Sequence, residues 1–243
     1  MLPILICAVS SFTTLFSYSH DNVPIQSITK QFIASLLPTN PIVVEAGAFN
    51  GSDTHKMSRL WPHGTIHAFE PVPKIFKHLK KRFMRTSNVR CYPYALGNIT
   101  GESSMHVSYS QYQPYQPFAS SSLLSPKEHL KKYPHITFPE TIAVKVFTLD
   151  DWAAQEGILN IDLLWLDMQG MELDMLKASP NMLRTVKVIY MEVSHQEMYE
   201  GAPLYNEVKE WLEAHNFSAI MQDASGIMNN VLFVRQDIIP CHA

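Results

Sequence analysis

Four carboxylates stand at the ends of short apolar runs. Glu45 follows Ile42-Val43-Val44, Glu70 follows Thr65-Ile66-His67-Ala68-Phe69, Asp167 closes the run from Ile161, and Glu192 closes the run from Val186. Runs of this length, rich in β-branched residues, predict buried strands. A parallel sheet gathers the C-terminal ends of its strands along one edge, where ligands bind. A rim of acids there suits a cation, or the paired hydroxyls of a ribose, and repels phosphate. An acid near a helix N-terminus also stabilises the helix dipole, and that plainer reading fits Asp53 and Glu172 best.

The first two acids frame a turn. Glu45-Ala46-Gly47-Ala48-Phe49-Asn50-Gly51 leads into a helix running to about Trp61, and Glu70 lies 25 residues after Glu45. Strand, glycine turn, helix, strand and acid form the first half of a nucleotide-binding βαβ unit. Gly47 permits a sharp turn at the strand end. Gly51 lets the helix begin close to a ligand or to the sheet, and the helix N-terminus presents N–H groups beside the turn. The spacing is not G-x-G-x-x-G, because Phe49 occupies the place where a pyrophosphate needs bare backbone. With Glu45 adding negative charge, the pattern favours S-adenosylmethionine over NAD.

The surrounding elements follow from periodicity. Residues 25–37 put Ile25, Ile28, Phe32, Ile33 and Leu36 on one helical face. A second helix is expected from Pro73 to about Thr86, and a third strand over 89–96, closed by Gly97. Ala95 and Leu96 at that strand end could hold an adenine. The pattern breaks over 101–147, which carries Tyr109, Tyr112, Tyr115 and Phe118; it reads either as a lid over the substrate or as a disordered or edge-hairpin insertion. Thr148 or Asp150 caps the next helix. A fourth strand ends at Asp167, a fifth spans 186–193, a helix follows over 204–215, and residues 217–222 and 230–235 form a closing antiparallel pair.

Length and composition bound the class. A chain of 243 residues, 46% hydrophobic with net charge −3, is one domain with a sizeable core, and gives no electrostatic reason to bind nucleic acid. Three scattered cysteines with no CxxC indicate neither a disulfide scaffold nor a zinc site. Of the eleven histidines, His63 and His67 stand at a suggestive spacing, but across a loop-to-strand boundary with no third ligand nearby, so scattered, non-ligand histidines are expected. Residues 1–19 are apolar and uncharged, and read as an export signal, a peripheral anchor or a mis-assigned start; contact with a membrane is expected only there. A cofactor made in the cytosol favours a cytoplasmic protein. The expected organisation is a hydrophobic segment over 1–22 and a single domain over 23–243 with an insertion at about 101–147.

At Asp167-Met168-Gln169-Gly170-Met171-Glu172 the chain resembles the FkbM-type methyltransferases, a branch of the class I S-adenosylmethionine-dependent fold. Glu45-Ala46-Gly47-Ala48, Gly51, Phe69-Glu70-Pro71, Ala95-Leu96-Gly97, Thr148-Leu149-Asp150-Asp151, Leu176 and Tyr190-Met191-Glu192-Val193 carry the rest of the likeness, over roughly residues 41–215. The resemblance implies an α/β Rossmann-like three-layer sandwich on a seven-stranded, mostly parallel sheet with an antiparallel last strand. It implies S-adenosyl-L-methionine as cofactor, held by Glu45, Gly47, Ala48, Asn50, Gly51, Glu70, Pro71, Ala95, Leu96 and Asp167. It also implies O-methylation of a sugar or other small-metabolite hydroxyl. Two positions depart from the family pattern: Phe49 stands where Asn is common, and Trp165 where Lys is favoured.

Methyl transfer needs alignment, exclusion of water and removal of the hydroxyl proton. His195, just past a strand end, is the first base expected from the sequence, since imidazole accepts protons near neutrality. Asp167 could orient the acceptor or bind the cofactor's amino group, and Glu192 is a further catalytic candidate. The same two acids could hold a divalent ion, but two ligands do not make a site, and no metal is predicted. Tyr205-x-x-x-Lys209 imitates the Tyr/Lys pair of short-chain NAD(P) oxidoreductases, a rival reading. A non-catalytic binding module with the same fold is another, supported only by Phe49 and Trp165.

Overall fold

Apolar runs buried on both faces alternate with amphipathic helices along the chain. The computed structural model describes residues 23–224 and 226–239, so the expectations for residues 1–22 lie outside it. In order, the elements are α1 (Lys30–Ser35), β1 (Ile42–Ala46), α2 (Ser52–Leu60), β2 (Thr65–Phe69), α3 (Pro73–Phe83), β3 (Val89–Tyr92) and β4 (Ala95–Leu96). Then come β5 (Gly101–Ser110), β6 (Gln113–Pro117), α4 (His129–Lys132), β7 (Ile136–Phe147), α5 (Leu149–Glu156), β8 (Leu163–Leu166), α6 (Glu172–Lys177) and α7 (Pro180–Leu183). The chain closes with β9 (Val188–Ser194), α8 (Tyr205–Ala214), β10 (Phe217–Gln222), β11 (Met228–Arg235) and a 3-10 turn at Gln236–Ile238.

The main sheet has seven strands in the order β10-β11-β9-β8-β1-β2-β3. All neighbours from β9 to β3 run parallel, and β11 lies antiparallel between β9 and β10. Alternate side chains of each central strand feed opposite layers, as a doubly covered sheet requires. On one face Val43, Ile66, Leu163 and Val188 pack against Ile33 of α1, Met57 of α2, and Leu79 and Phe83 of α3. On the other, Val44, Leu164, Leu166 and Ile189 meet Trp152 of α5, Leu173 and Leu176 of α6, and Val208 and Leu212 of α8. The parallel register aligns the ends of β1, β2, β8 and β9 on one edge. No helix of the described residues is long and apolar enough to cross a membrane.

Three elements differ from the sequence expectation. The strand expected over 89–96 divides at Pro93, which has no N–H to give a ladder. Its second half, β4, leaves the main sheet and pairs in parallel with β7, Ala95 with Val146 and Leu96 with Phe147. The excursion over 101–147 is a second sheet, ordered β4-β7-β5-β6. β5 and β7 form its long antiparallel pair, whose Met105, Val107, Val144 and Val146 are buried with Val72 and Ile75. Finally, α1 starts at Lys30 and not near Ile25, because the Thr29 hydroxyl accepts the Phe32 N–H at 3.1 Å and fixes the start of the helix there.

Candidate active site

The floor of the site is the turn between β1 and α2. Gly47 has φ +86°, and a Cβ there would lie 1.9 Å from the carbonyl oxygen of Asp167, so two strand ends meet only because this residue has no side chain. Gly51, φ +75°, answers a different need: a Cβ would lie 2.4 Å from the Phe83 ring, so it admits α3 and not a ligand. The N–H groups of the turn are committed internally. Gly47 and Ala48 donate to the Phe69 carbonyl at 3.2 and 2.9 Å, and Gly51 to Ala48 at 2.8 Å. Ser52 N donates to Asn50 Oδ1 at 2.9 Å. The N–H groups expected beside the turn are therefore largely consumed, which explains why the turn is no phosphate cradle.

Glu70, at the end of β2, holds the turn shut. Its Oε2 accepts the Phe49 N–H at 3.0 Å and its Oε1 the Val72 N–H at 2.8 Å. Each oxygen keeps a lone pair for a further donor. Burial pushes the Glu70 carboxyl up to about 7; the two N–H bonds oppose the shift and the nearby Asp167 adds to it. Phe49 pays for its N–H bond with φ +46°, a left-handed conformation costing about 1–3 kcal/mol.

Above this floor runs a groove with about 600 Å³ of empty space, counting its open mouth. Gly47, Glu70, Pro71, Ala95, Leu96 and Asp167 line it, together with Phe49, Tyr94, Met168 and Met171. Phe118, Ala119, Ser121 and Leu123 of the second sheet's connecting segment form a wall, and the Phe49 and Phe118 rings meet edge to face at 6.4 Å. Its ionisable lining residues are Glu70, Asp167 and Tyr94, with no Lys or Arg among them. A groove of carboxylates and apolar walls fits a positively charged nucleoside and not a pyrophosphate.

The turn after β8 completes the rim. Glu172 is buried and accepts the Met168 N–H at 2.6 Å and the Gly170 N–H at 3.0 Å, which folds residues 167–172 into a tight loop. Its role is thus more than a helix-dipole acid; burial pushes its carboxyl up to about 7. Gln169, φ +58°, turns its amide inward. Its Nε2 donates to Asp167 Oδ1 at 2.6 Å and to Glu192 Oε2 at 3.0 Å, and its Oε1 lies 2.7 Å from the Tyr199 hydroxyl. Asp167 opens into the groove yet is ringed by protein, so desolvation, opposed by the Gln169 bond, raises its carboxyl. Glu192 is pushed up to about 9 by burial, Asp167 and Glu172. It lines a second, smaller cavity on the far side of Gln169, with Met191, Met198 and Tyr199.

Of the residues expected to hold a cofactor, Glu45, Ala48, Asn50 and Gly51 do not line the groove. Glu45 shares the sheet face of Val43, away from the groove, and accepts from the Thr54 hydroxyl at 2.5 Å; burial pushes it up to about 8. Alternation along β1 decides this: the residue before Ala46 must point to the other layer. Ala48 is buried against α2 and α3, and Asn50 is exposed. His195 is exposed, bonded through Nε2 to Asn229 Oδ1 at 2.9 Å and packed on Tyr205 at 5.0 Å, outside both cavities. Lys209 pairs with Glu213 at 3.1 Å, and neither it nor Tyr205 lines the groove. Sequence reasoning missed the roles of Gln169 and Tyr199; the Gln169-Gly170 dipeptide at a strand end was the available signal.

A model of the methyltransferase FkbM domain matches residues 45–219. The chain belongs to the FkbM methyltransferase family. Its cofactor is S-adenosyl-L-methionine. A 2-O-methyltransferase, NoeI, of Sinorhizobium fredii is 28% identical over 205 residues, 84% of each chain. The methyltransferase sdnD of Sordaria araneosa is 30% identical over 165 residues, 58% of this chain and 61% of its own. The solved fibrillarin pre-rRNA processing protein of Methanococcus jannaschii shares the class I fold at TM-score 0.50 and 12% identity, over 82% of this chain and 69% of that one.

Both departures from the FkbM pattern now have a place. Phe49 keeps its backbone bond to Glu70 and adds a ring to the groove wall. Trp165 faces the opposite layer, stacked on Tyr190 at 3.8 Å, with Lys30 Nζ 4.1 Å above its ring. Lys30 also pairs with Asp53 at 2.7 Å. Trp165 does not line the groove.

Proposed function

We propose that this FkbM methyltransferase transfers the methyl group of S-adenosylmethionine to a hydroxyl oxygen of a small molecule. The observation that carries the reading is the pair Glu70 and Asp167 facing one cation-free groove, with Gln169 linking Asp167 to Glu192 beyond it. The name of the related 2-O-methyltransferase supports oxygen as the nucleophile.

The roles follow from chemistry. Glu70 accepts the ribose hydroxyls on the lone pairs its N–H partners leave open. Ala95 and Leu96, with Met168 and Met171, wall the adenine, and Gly47 gives the methionine end room. The bound cofactor supplies an electrophilic sulfonium methyl. Asp167, at the groove, takes the acceptor's hydroxyl proton as its oxygen accepts the methyl group, with Glu192 coupled to it through Gln169. His195, outside both cavities, is replaced in this role. Ligand charge brings the raised acids back toward ionisation. The segment over 118–123 closes over the cofactor as a lid.

The test is release of S-adenosylhomocysteine from a panel of sugar and polyol hydroxyl acceptors, with and without magnesium. Turnover on a hydroxyl acceptor that Asp167→Asn and Glu192→Gln each reduce about 100-fold supports the reading. Turnover only on amine or thiol acceptors, or undiminished in both variants, would overturn it.

A further inference from the structure

We infer that Gln169 is a positioning residue whose single carboxamide holds Asp167 and Glu192 on one nitrogen and so fixes how the two acids face the reacting atoms. The role rests on the methyl-transfer reading, but the geometry does not. One Nε2 lies within hydrogen-bond distance of both carboxylates, and it has two hydrogens to give. Tyr199 OH lies near both Gln169 Oε1 (2.7 Å) and Ser120 O (2.9 Å); giving its one proton to Oε1, it holds the amide with Nε2 toward the acids. From the backbone side, Gln169 O accepts the Ser122 hydroxyl at 2.8 Å. Gln169 thus stands between the groove and the second cavity, tied to the segment that walls the groove.

The backbone argues that the side chain is used. Gln169 sits at φ +58°, a region where glycine costs least, and Gly170 follows at φ +104°. A turn that needed only shape would be served by a second glycine. A glutamate would place a third carboxylate against two others, and an aliphatic residue would leave both without the shared donor. Asp53 of α2, Glu70 beyond β2, Glu172 of α6, Asp223 beyond β10, and the Tyr190 and Tyr199 hydroxyls also act electrostatically within this group, so its charged surroundings are acids and phenols. Lys30 of α1 is spent on Asp53.

The test uses the full chain with carboxyl-13C aspartate and glutamate. The Asp167 and Glu192 signals are assigned with D167N and E192Q and followed by NMR from pH 5 to 10 in the parent and in Gln169→Gly. The glycine variant keeps the positive-φ turn but loses the amide's bonds to Asp167, Glu192 and Tyr199, so it is expected to fold and to melt below the parent. Its upper carboxyl ionisation moves up by about one pH unit, a tenfold change, for want of the donor. With S-adenosylmethionine and an active acceptor, kcat falls roughly ten- to a hundredfold while the cofactor Kd stays put. Gln169→Asn tolerates the left-handed backbone but is one methylene short, and gives the same upward move; it serves if the glycine variant fails to fold. Unchanged carboxyl titration in a folded variant would overturn the inference. A parent that binds no S-adenosylmethionine by calorimetry would sink the methyl-transfer reading, while the titration would still decide the role of Gln169.

Discussion

At the scale of the residue, the site depends on a few atoms with no slack. Gly47→Ala forces a Cβ to within 1.9 Å of the Asp167 carbonyl and must separate β1 from β8. We predict a loss of at least about 3 kcal/mol, read as a fall in the denaturant midpoint, with cofactor binding lost as well. Glu172→Ala leaves the Met168 and Gly170 N–H groups without their acceptor, and should cost on the order of 2–4 kcal/mol by the same measurement. Glu70, Gly47 and Asp167 were legible in the sequence, since position at a strand end implies the rim. Gln169 stands in the family motif, but its role was not legible, because nothing in the sequence shows its positive φ or which groups its amide reaches. Glu45 misled for the converse reason: its spacing matched the rim, but strand alternation turned it to the other layer.

At the scale of the element, the groove is made by two sheets. The main sheet brings the floor and the acids, and the second sheet brings the wall. Phe118→Ala should raise the cofactor Kd about tenfold by calorimetry, through lost contact with Phe49 and the bound nucleoside, and leave the melting temperature within a few degrees of the parent's. The βαβ half and the helices after it could be read from periodicity, and Thr148 caps α5 as its type and place suggest, accepting the Asp151 N–H at 3.1 Å. The second sheet could not. Its strands carry Gln, Ser, Tyr and Pro on an exposed face, and the pairing of β5 with β7 is a long-range fact that local pattern does not encode. Pro93 was the one local sign that the third strand divides.

At the scale of the whole molecule, the fold stores acids in positions where they resist ionisation. Glu45, Glu70, Glu172 and Glu192 are held up to about 8, 7, 7 and 9, and Asp167 is raised with them. The folded protein therefore binds more protons than the unfolded chain above the ordinary carboxylate range, and this contribution to stability declines as pH rises toward 9. Buried His67 and His129, both lowered to about 4, act oppositely: the folded state gains from their neutrality as pH rises from 4 to 6.5. The five raised acids outweigh the two lowered histidines, so thermal melts without cofactor should already be falling at about pH 5 and should continue to fall to pH 9. Because a cationic cofactor favours the ionised acids, its affinity should rise over the interval in which the melting temperature falls.

Calorimetric titration at pH 8 with S-adenosylmethionine and with NADH, in the parent and in Glu70→Ala, tests the central claim most directly. The parent should bind S-adenosylmethionine with heat and ignore NADH, and Glu70→Ala should bind at least about tenfold more weakly, since it loses the carboxylate assigned to the ribose. A Glu70→Ala protein that holds S-adenosylmethionine as tightly as the parent, or a parent that prefers NADH, would contradict it.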